Sequence, residues 1–241
     1  MSDEALLLER LTGIRRRIAA ACDRAGRDPA SVALMAVSKG HPASAVSTLA
    51  GIGQTLFGES KVQEAKAKIP GCPAVARWHM IGHLQTNKAR DAVRLFSMIQ
   101  SVDSLRLAQE IDAAAEKAAK TMPILLEVNV AGESSKFGYS PEKVLAEFMA
   151  INALRRLEIH GLMTIAPWGP ATEKARAVFR RLAELRRRCE GVLGAPLPVL
   201  SMGMSGDFET AIEEGATLVR VGTSLFGERV YTRTGGVDED P

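Results

Sequence analysis

Long hydrophobic runs, cysteine residues and net charge are all scarce in this sequence, and each scarcity excludes a class of protein. No apolar run reaches the roughly 18 residues that a transmembrane helix requires. The 31 Lys and Arg residues against 28 Asp and Glu leave a net charge of +3, which is too small to indicate nucleic-acid binding. Three cysteines, odd in number and far apart, indicate neither a disulfide framework nor a zinc cluster.

The composition and the first residues predict a globular protein of the reducing cytoplasm. A mean hydropathy of 0.00, with 46% hydrophobic and 24% charged residues, is typical of a folded chain without a membrane anchor. The opening MSDEALLLERL carries acidic residues where a secretory signal needs a basic stretch followed by an apolar one. The length of 241 residues suits one large α/β domain or two small ones.

Short apolar segments alternate with helical patterns along the chain. The predicted strands are 32–39, 55–60, 77–82, 98–103, 124–130, 159–166, 198–203 and 218–223. The predicted helices between them are 42–51, 61–69, 84–95, 104–120, 141–155, 171–190 and 206–214, after an opening helix over 3–25. Such alternation favours parallel strands with right-handed crossovers, and eight units predict a single α/β domain, a (β/α)₈ TIM-type barrel with an extra N-terminal helix.

An open doubly wound sheet is the structural alternative to a closed barrel. Such a sheet usually has a glycine-rich first turn with three glycines at fixed spacing. Here Gly51 and Gly53 match the first two, but Leu56 stands where the third glycine belongs. No composition break divides the chain before the acidic end VDEDP. We therefore expect one domain over residues 1–241, with 232–241 as a flexible tail.

Lys39 is the last residue of the first predicted strand. It shares a face with Met35 and Val37, because side chains along a strand alternate with a period of two. An ammonium group at the top of an apolar face is poorly solvated, which favours the neutral amine that can condense with an aldehyde to a Schiff base. A lysine that only extends its amine to the rim fits the same pattern, so this residue alone leaves both interpretations open.

Hydroxyl groups and glycines lie at the ends of the last two predicted strands. Ser201 precedes a glycine-rich segment and a helix, and Gly222 and Thr223 end the eighth strand. Glycines let a phosphate approach the backbone, hydroxyls donate hydrogen bonds, and loops seven and eight are the usual phosphate position of this barrel. Tight turns would require the same glycines, so either cluster alone is weak evidence.

Barrel closure joins these two sets of residues. It places the eighth strand beside the first, about 4.8 Å away, so that Lys39 and Arg220 face one pocket. An amine, a phosphate site and a fixed cation together describe a site for pyridoxal 5′-phosphate (PLP). In this arrangement the cofactor aldehyde meets Lys39, the ring nitrogen meets Arg220, and the phosphate meets Ser201, Gly222 and Thr223.

Seven segments, in order along the chain, are similar to those of one known family. They are AVSKGHP (36–42), FGESKVQE (57–64), WHMIGHLQTNK (78–88), SVDSLRLA (101–108), GESSKFG (132–138), GLMTIAP (161–167) and LSMGMSGDFETAIEEGATLVRVGTSLFGER (200–229). With them the sequence resembles the pyridoxal-phosphate homeostasis protein family, the small single-domain relatives of the alanine racemase barrel. The similarity covers nearly the whole chain, from about residue 6 to residue 229.

The resemblance implies a PLP-binding protein without an established catalytic activity, acting in intracellular PLP supply and delivery and in amino-acid balance. It implies the same role for each of the five residues assigned above, and we expect PLP and apo PLP-dependent enzymes as partners of a monomer. The sequence departs from the family pattern at Ser60, where asparagine is usual, at Lys61, where a bulky residue is common, and at Gly206, where an acid is usual.

Two other functions remain open at this point. A PLP-dependent amino-acid racemase, or a related PLP enzyme, is the first alternative, and a lysine aldolase that binds a sugar phosphate is the second. Racemisation needs a second acid/base group, which a tyrosine from an additional domain supplies in alanine racemase. The tyrosines here are Tyr139, in a predicted loop, and Tyr231, near the acidic tail.

Three further residues invite a functional interpretation. His79 and His83 have a spacing that binds metal on a helix, but they lie at a predicted strand without a third ligand, so we expect no metal site. Lys136 follows the fifth strand and is either a second amine at the pocket mouth or a solvated loop lysine.

Overall fold

The structure is a computed structural model that describes residues 2–167 and 173–227. Its strands are β1 (Ala33–Val37), β2 (Leu56–Glu59), β3 (Arg77–Met80), β4 (Met98–Val102), β5 (Met122–Glu127), β6 (Leu157–Met163), β7 (Val199–Ser201) and β8 (Leu218–Val221). Its α-helices are α1 (Asp3–Arg24), α2 (Ala43–Gly51), α3 (Val62–Lys68), α4 (Ala89–Leu95), α5 (Leu105–Lys117), α6 (Pro141–Asn152), α7 (Glu173–Leu193), α8 (Phe208–Glu213) and α9 (Thr223–Phe226). The tail predicted over 232–241 lies outside the described residues.

The eight strands form a closed parallel barrel in sequence order, which confirms the predicted (β/α)₈ fold. Closure is made by β8 against β1, with Met35 opposite Arg220 and Ala36 opposite Val221. Because the strands are parallel, all their carboxyl ends meet at one end of the barrel, where the loops to the following helices begin.

Side chains alternate between the barrel interior and the outer layer of helices, as the period of a strand requires. In β1, Met35 and Val37 pack inside with Leu56, Ile81 and Leu218. The intervening positions belong to the larger core between barrel and helices. This alternation fixes which residues at the strand ends face the barrel axis and which face the helices.

Helix α1 is the predicted extra N-terminal helix, and it packs across the seam of the barrel against α8 and α9. Its buried stripe is the predicted one, formed by Leu7, Leu11, Ile14, Ile18 and Cys22. Ion pairs also join it to α8, with Arg17 bound to Glu209 at 2.7 Å and Arg24 bound to Glu213 at 2.8 Å. The helix therefore stabilises the same segment that closes the barrel.

The structure shifts some predicted boundaries. Helix α5 ends at Lys117 rather than at 120, because Ala119 adopts a positive φ of 49° that reverses the chain. The amine of Lys120 then donates to the carbonyl oxygens of Val93 and Phe96, both at 2.8 Å, and ties this turn to the end of α4. No helix in the described ranges is both long and apolar enough to cross a membrane.

Candidate functional site

A cavity of about 580 Å³ opens at the carboxyl ends of the strands. Its wall is formed by Val37, Lys39, His41, Ser60, Ile81, Ile165, Pro167, Met204, Ser205, Gly206, Asp207, Arg220, Gly222, Thr223 and Gly227. Four of the five residues predicted from the sequence are therefore brought together: Lys39, Arg220, Gly222 and Thr223. The fifth, Ser201, is not part of this wall.

Lys39 reaches the cavity because of its position two residues after Val37. Val37 is the last residue of β1 and faces the barrel interior, and Lys39 lies in the turn that follows it at the carboxyl end of the strand. Lys39 is half-buried on the cavity wall. The sequence-based placement of this amine at the barrel mouth therefore agrees with the structure.

Arg220 supplies a fixed cation to the cavity. Its side chain is buried, and its two terminal nitrogens donate to the Ser201 hydroxyl at 2.6 Å and to the Thr164 carbonyl oxygen at 2.8 Å. Burial lowers the pKa of Arg220 to about 10, while the nearby carboxylates of Glu127 and Asp207 act in the opposite direction. The guanidinium remains charged at neutral pH and can only donate hydrogen bonds.

Ser201 lies beneath Arg220 instead of on the cavity wall. The serine is fully buried, accepts from Arg220 and donates to Gln100 Oε1 at 2.7 Å. The Gln100 amide in turn lies 2.9 Å from His79 Nδ1. Burial, together with the charge of Arg77, lowers the pKa of His79 to about 4, so this ring is neutral and its Nδ1 accepts.

These hydrogen bonds form one chain from Arg220 through Ser201 and Gln100 to His79. Each of the three hydrogen bonds pairs a donor with an acceptor, and such pairing stabilises buried polar groups. The chain fixes the guanidinium against the cavity floor. The predicted phosphate role of Ser201 therefore fits this geometry poorly, because its hydroxyl is already engaged on both sides.

The loop between β7 and α8 places another hydroxyl on the cavity wall, which the sequence analysis missed. Asp207 Oδ1 accepts from the Met204 backbone N–H at 2.6 Å and closes the loop. Ser205 Oγ accepts from the backbone N–H of Ser224 at 3.3 Å, which ties this loop to the one after β8. The segment SMGMSGD (201–207) contains two serines, Ser201 and Ser205. Only Ser205 lies in the loop after the strand, where phosphate-binding residues of this fold usually occur, and this position could have identified it from the sequence.

Glu127 is a second group that the sequence analysis missed. It ends β5 on the interior side, since Leu125 of the same face packs with Met98 and Met163 inside the barrel. Burial raises the pKa of Glu127 to about 7; nearby Asp103 adds to the rise, and Arg220 opposes it. A carboxyl group that titrates near neutral pH therefore lies inside the barrel beside the cavity cation.

His79 and His83, whose spacing is that of metal ligands on a helix, lie in different parts of the structure. His79 is inside the barrel, whereas His83 lies at the rim, where Nδ1 is 2.9 Å from Asp103 and the ring stacks on Phe137 at 3.7 Å. Among the described residues no group of three or more potential ligands is placed to hold a metal ion. Lys136 lies in the exposed loop after β5 and is not part of the cavity wall.

Comparison with known proteins shows the family to which the chain belongs. The model of the alanine racemase N-terminal domain family matches residues 10–230. A pyridoxal phosphate homeostasis protein of Aquifex aeolicus is 42% identical over 224 residues, covering 92% of this chain and 98% of that protein. The chain belongs to the pyridoxal phosphate homeostasis protein family. Members from Pseudomonas aeruginosa and Mus musculus are 42% and 38% identical, over 93% and 95% of the chain and 96% and 89% of their own lengths.

Solved structures of the family have the same fold. PipY of Synechococcus elongatus with PLP bound is 38% identical and has a TM-score of 0.80, covering 92% of this chain and 100% of that one. PipY without PLP gives 39% identity and a TM-score of 0.82, with 91% and 99% covered. An alanine racemase of Clostridium difficile, at 13% identity and a TM-score of 0.74, covers 95% of this chain and 58% of that one and shows similarity of fold only.

The raised pKa of Glu127 predicts a specific dependence of stability on pH. The folded state keeps the proton to about pH 7, whereas an unfolded chain releases it near 4.5, so this stabilisation is complete below 4.5 and lost as pH rises through 7. Glu127→Gln imitates the protonated group at every pH. We expect it to unfold like the wild type at pH 4 and to be more stable by about 3 kcal/mol at pH 8.

Urea unfolding at the two pH values measures this difference. Glu116→Gln, on the exposed face of α5, is the matched control and should change stability by no more than about 0.5 kcal/mol at either pH. A Glu127→Gln variant less stable than the wild type at pH 8 would show that the carboxylate is bound in its charged form.

Proposed function

We propose that the protein binds PLP at the carboxyl end of its barrel, attached through Lys39, and acts in intracellular PLP homeostasis by holding and delivering the cofactor. The observation that carries this proposal is the convergence of Lys39, Arg220 and the loops after β7 and β8 on one cavity. The relatives that bear the homeostasis name and the PLP-bound PipY support the same ligand. The cytoplasmic location and the monomeric state stay predictions.

The groups on the cavity wall fit the three chemical parts of PLP. When bound, the cofactor supplies an aldehyde, and the Lys39 amine would form a C=N bond with it while the carbonyl oxygen leaves as water. Arg220, which only donates, would bind the ring nitrogen as an unprotonated acceptor. The hydroxyls of Ser205 and Thr223, with the backbone at Gly206 and Gly222, would hold the phosphate.

We assign the serine contact to the phosphate to Ser205 in place of Ser201. Ser205 is on the cavity wall and its loop is bound to the loop that carries Thr223 through the N–H of Ser224. Ser201 acts through Arg220, since its hydroxyl lies between the guanidinium and Gln100.

The fixed cation also supports a carrier over an enzyme. Arg220 disfavours a proton on the ring nitrogen, and an unprotonated ring withdraws electrons less strongly from a bound amino acid. Tyr139, one of the two tyrosines, is 1% exposed in the core, and Tyr231 lies outside the described residues. The described part of the cavity wall therefore presents no tyrosine opposite Lys39.

Replacement of Lys39 tests the covalent attachment. We expect PLP added to the wild type to give a visible absorbance band, and borohydride reduction to fix the cofactor mass on the peptide that contains residue 39. Lys39→Ala should lose both signals, and Lys136→Ala, in the exposed loop, should keep both. A reduced adduct found on another lysine of the wild-type protein would refute the assignment.

The two serines are separated by comparing PLP with pyridoxal, which lacks the phosphate. Ser205→Ala should weaken PLP binding about tenfold and leave pyridoxal binding unchanged, because one hydrogen bond to a charged group is lost. Ser201→Ala should weaken both ligands by the same factor, because it acts on the ring contact. Titration by fluorescence gives both dissociation constants, and selective loss of PLP in Ser201→Ala would restore the original assignment.

Delivery is tested with an apo PLP-dependent enzyme as acceptor. We expect the acceptor to gain activity from the loaded protein faster than PLP dissociates into a scavenger such as alkaline phosphatase, with saturation as the acceptor concentration rises. Equal rates would reduce the protein to a passive store. Loss of optical activity from L-alanine or L-serine incubated with the loaded protein would instead favour the racemase.

A further inference from the structure

A buried lysine of helix α3 binds the backbone of the turn that carries Lys39. Lys68 is almost completely buried, and its amine donates three hydrogen bonds of 2.7 Å each. The acceptors are the backbone carbonyl of Ser38, Glu59 Oε1 and Glu64 Oε1. One of the three bonds therefore fixes the residue immediately before Lys39.

The two carboxylates bind the same turn on both sides of Lys39. Ser38 Oγ donates to Glu59 Oε1 at 2.7 Å, and the backbone N–H of Gly40 donates to Glu64 Oε1 at 2.6 Å. Glu59 ends β2 on the face toward the helices, and Lys68 ends α3. A strand end and the following helix thus hold the residues that flank Lys39.

We propose that Lys68, Glu59 and Glu64 form a positioning cluster that orients the Lys39 amine toward the cofactor aldehyde. This inference rests on the proposed attachment of PLP through Lys39. The cluster does not line the cavity within the described residues, so it acts on the turn and touches no ligand.

The free-energy cost of burying these charged groups indicates that the cluster has a role beyond packing. Glu59 is fully buried, its Oε2 has no hydrogen-bond partner, and burial raises its pKa. A buried ion pair is frequently no more stabilising than a well-packed apolar pair of similar volume. Apolar side chains, however, could bind neither the carbonyl of Ser38 nor the N–H of Gly40, and these backbone groups set the direction of Lys39.

The chemistry of attachment shows which quantity the cluster controls. The lone pair of the Lys39 amine forms a bond to the aldehyde carbon, and the two amine hydrogens then leave with the carbonyl oxygen as one water molecule. The rate of this step depends on the placement of the amine. Arg220 and the loops after β7 and β8 make the proposed contacts to the ring and the phosphate. None of these contacts involves a residue of the cluster.

The decisive experiment compares covalent attachment with non-covalent binding in Lys68→Met. The attachment rate is measured by stopping the reaction with PLP at set times with borohydride and quantifying the adduct at residue 39. Non-covalent affinity is measured with pyridoxine 5′-phosphate, which has an alcohol in place of the aldehyde. We expect attachment at least tenfold slower than in the wild type and a dissociation constant for the alcohol within twofold.

Lys66→Met is the matched control, because Lys66 lies on the same helix two residues earlier and pairs with Asp91 at 3.4 Å on the surface. It should leave both quantities unchanged. Equal losses of rate and affinity in Lys68→Met would mean that the substitution damages the cavity as a whole. An unchanged rate would mean that the turn keeps its conformation without Lys68. Either result overturns the proposal.

A second pair of variants avoids leaving the Glu59 carboxylate buried without its cation. Glu64 is partly exposed, so Glu64→Gln and Glu64→Leu test the bond to Gly40 at a more tolerant position. Glutamine keeps an oxygen acceptor and should attach PLP within twofold of the wild-type rate, whereas leucine should be at least fivefold slower. Equal rates in the two variants contradict the proposal. Absence of an adduct at residue 39 in the wild type would instead refute the proposed function itself.

Discussion

The pairing of β8 with β1 is the constraint on which the cavity depends, because it unites residues that are about 180 positions apart in the chain. Met35 lies opposite Arg220 in this pairing, so the strand that precedes Lys39 and the strand that carries the cation run side by side. An open sheet with the same sequential strand order would leave these two strands at opposite edges. Helix α1 crosses the seam and is held there by its apolar stripe and by ion pairs such as that of Arg17 with Glu209.

Two polar networks then give the cavity its chemical character. Inside the barrel, a chain of hydrogen bonds from His79 to Arg220 holds the guanidinium at a fixed position, with Glu127 near enough to influence its charge. Outside the barrel, Lys68 and two carboxylates hold the turn that carries Lys39. The first network is buried and binds the Arg220 guanidinium, and the second, buried except at Glu64, binds the residues on both sides of Lys39. The hydrogen bonds therefore preorganise the sides of the cavity where the ring and the aldehyde of PLP are proposed to bind.

The alternation of strands and helices, and the period of two within a strand, were sufficient to predict the barrel and the positions of Lys39 and Arg220. The same rule gives the face of a residue but not its depth, so it could not show that Ser201 is buried beneath Arg220 while Ser205 lies on the cavity wall. The raised pKa of Glu127 was missed because the groups that surround this carboxyl belong to other strands. The pattern of β5 alone is typical of an apolar core strand. The bonds between Lys68 and the Lys39 turn depend on how α3 packs against the barrel, and no local spacing in the sequence encodes that packing.

A crystal structure of the protein grown with PLP tests the central claim most directly. The account predicts continuous density between the Lys39 amine and the cofactor, with the ring nitrogen within hydrogen-bonding distance of Arg220 and the phosphate between the loops after β7 and β8. Cofactor density at a different place in the barrel, or attached to a lysine other than Lys39, would contradict it.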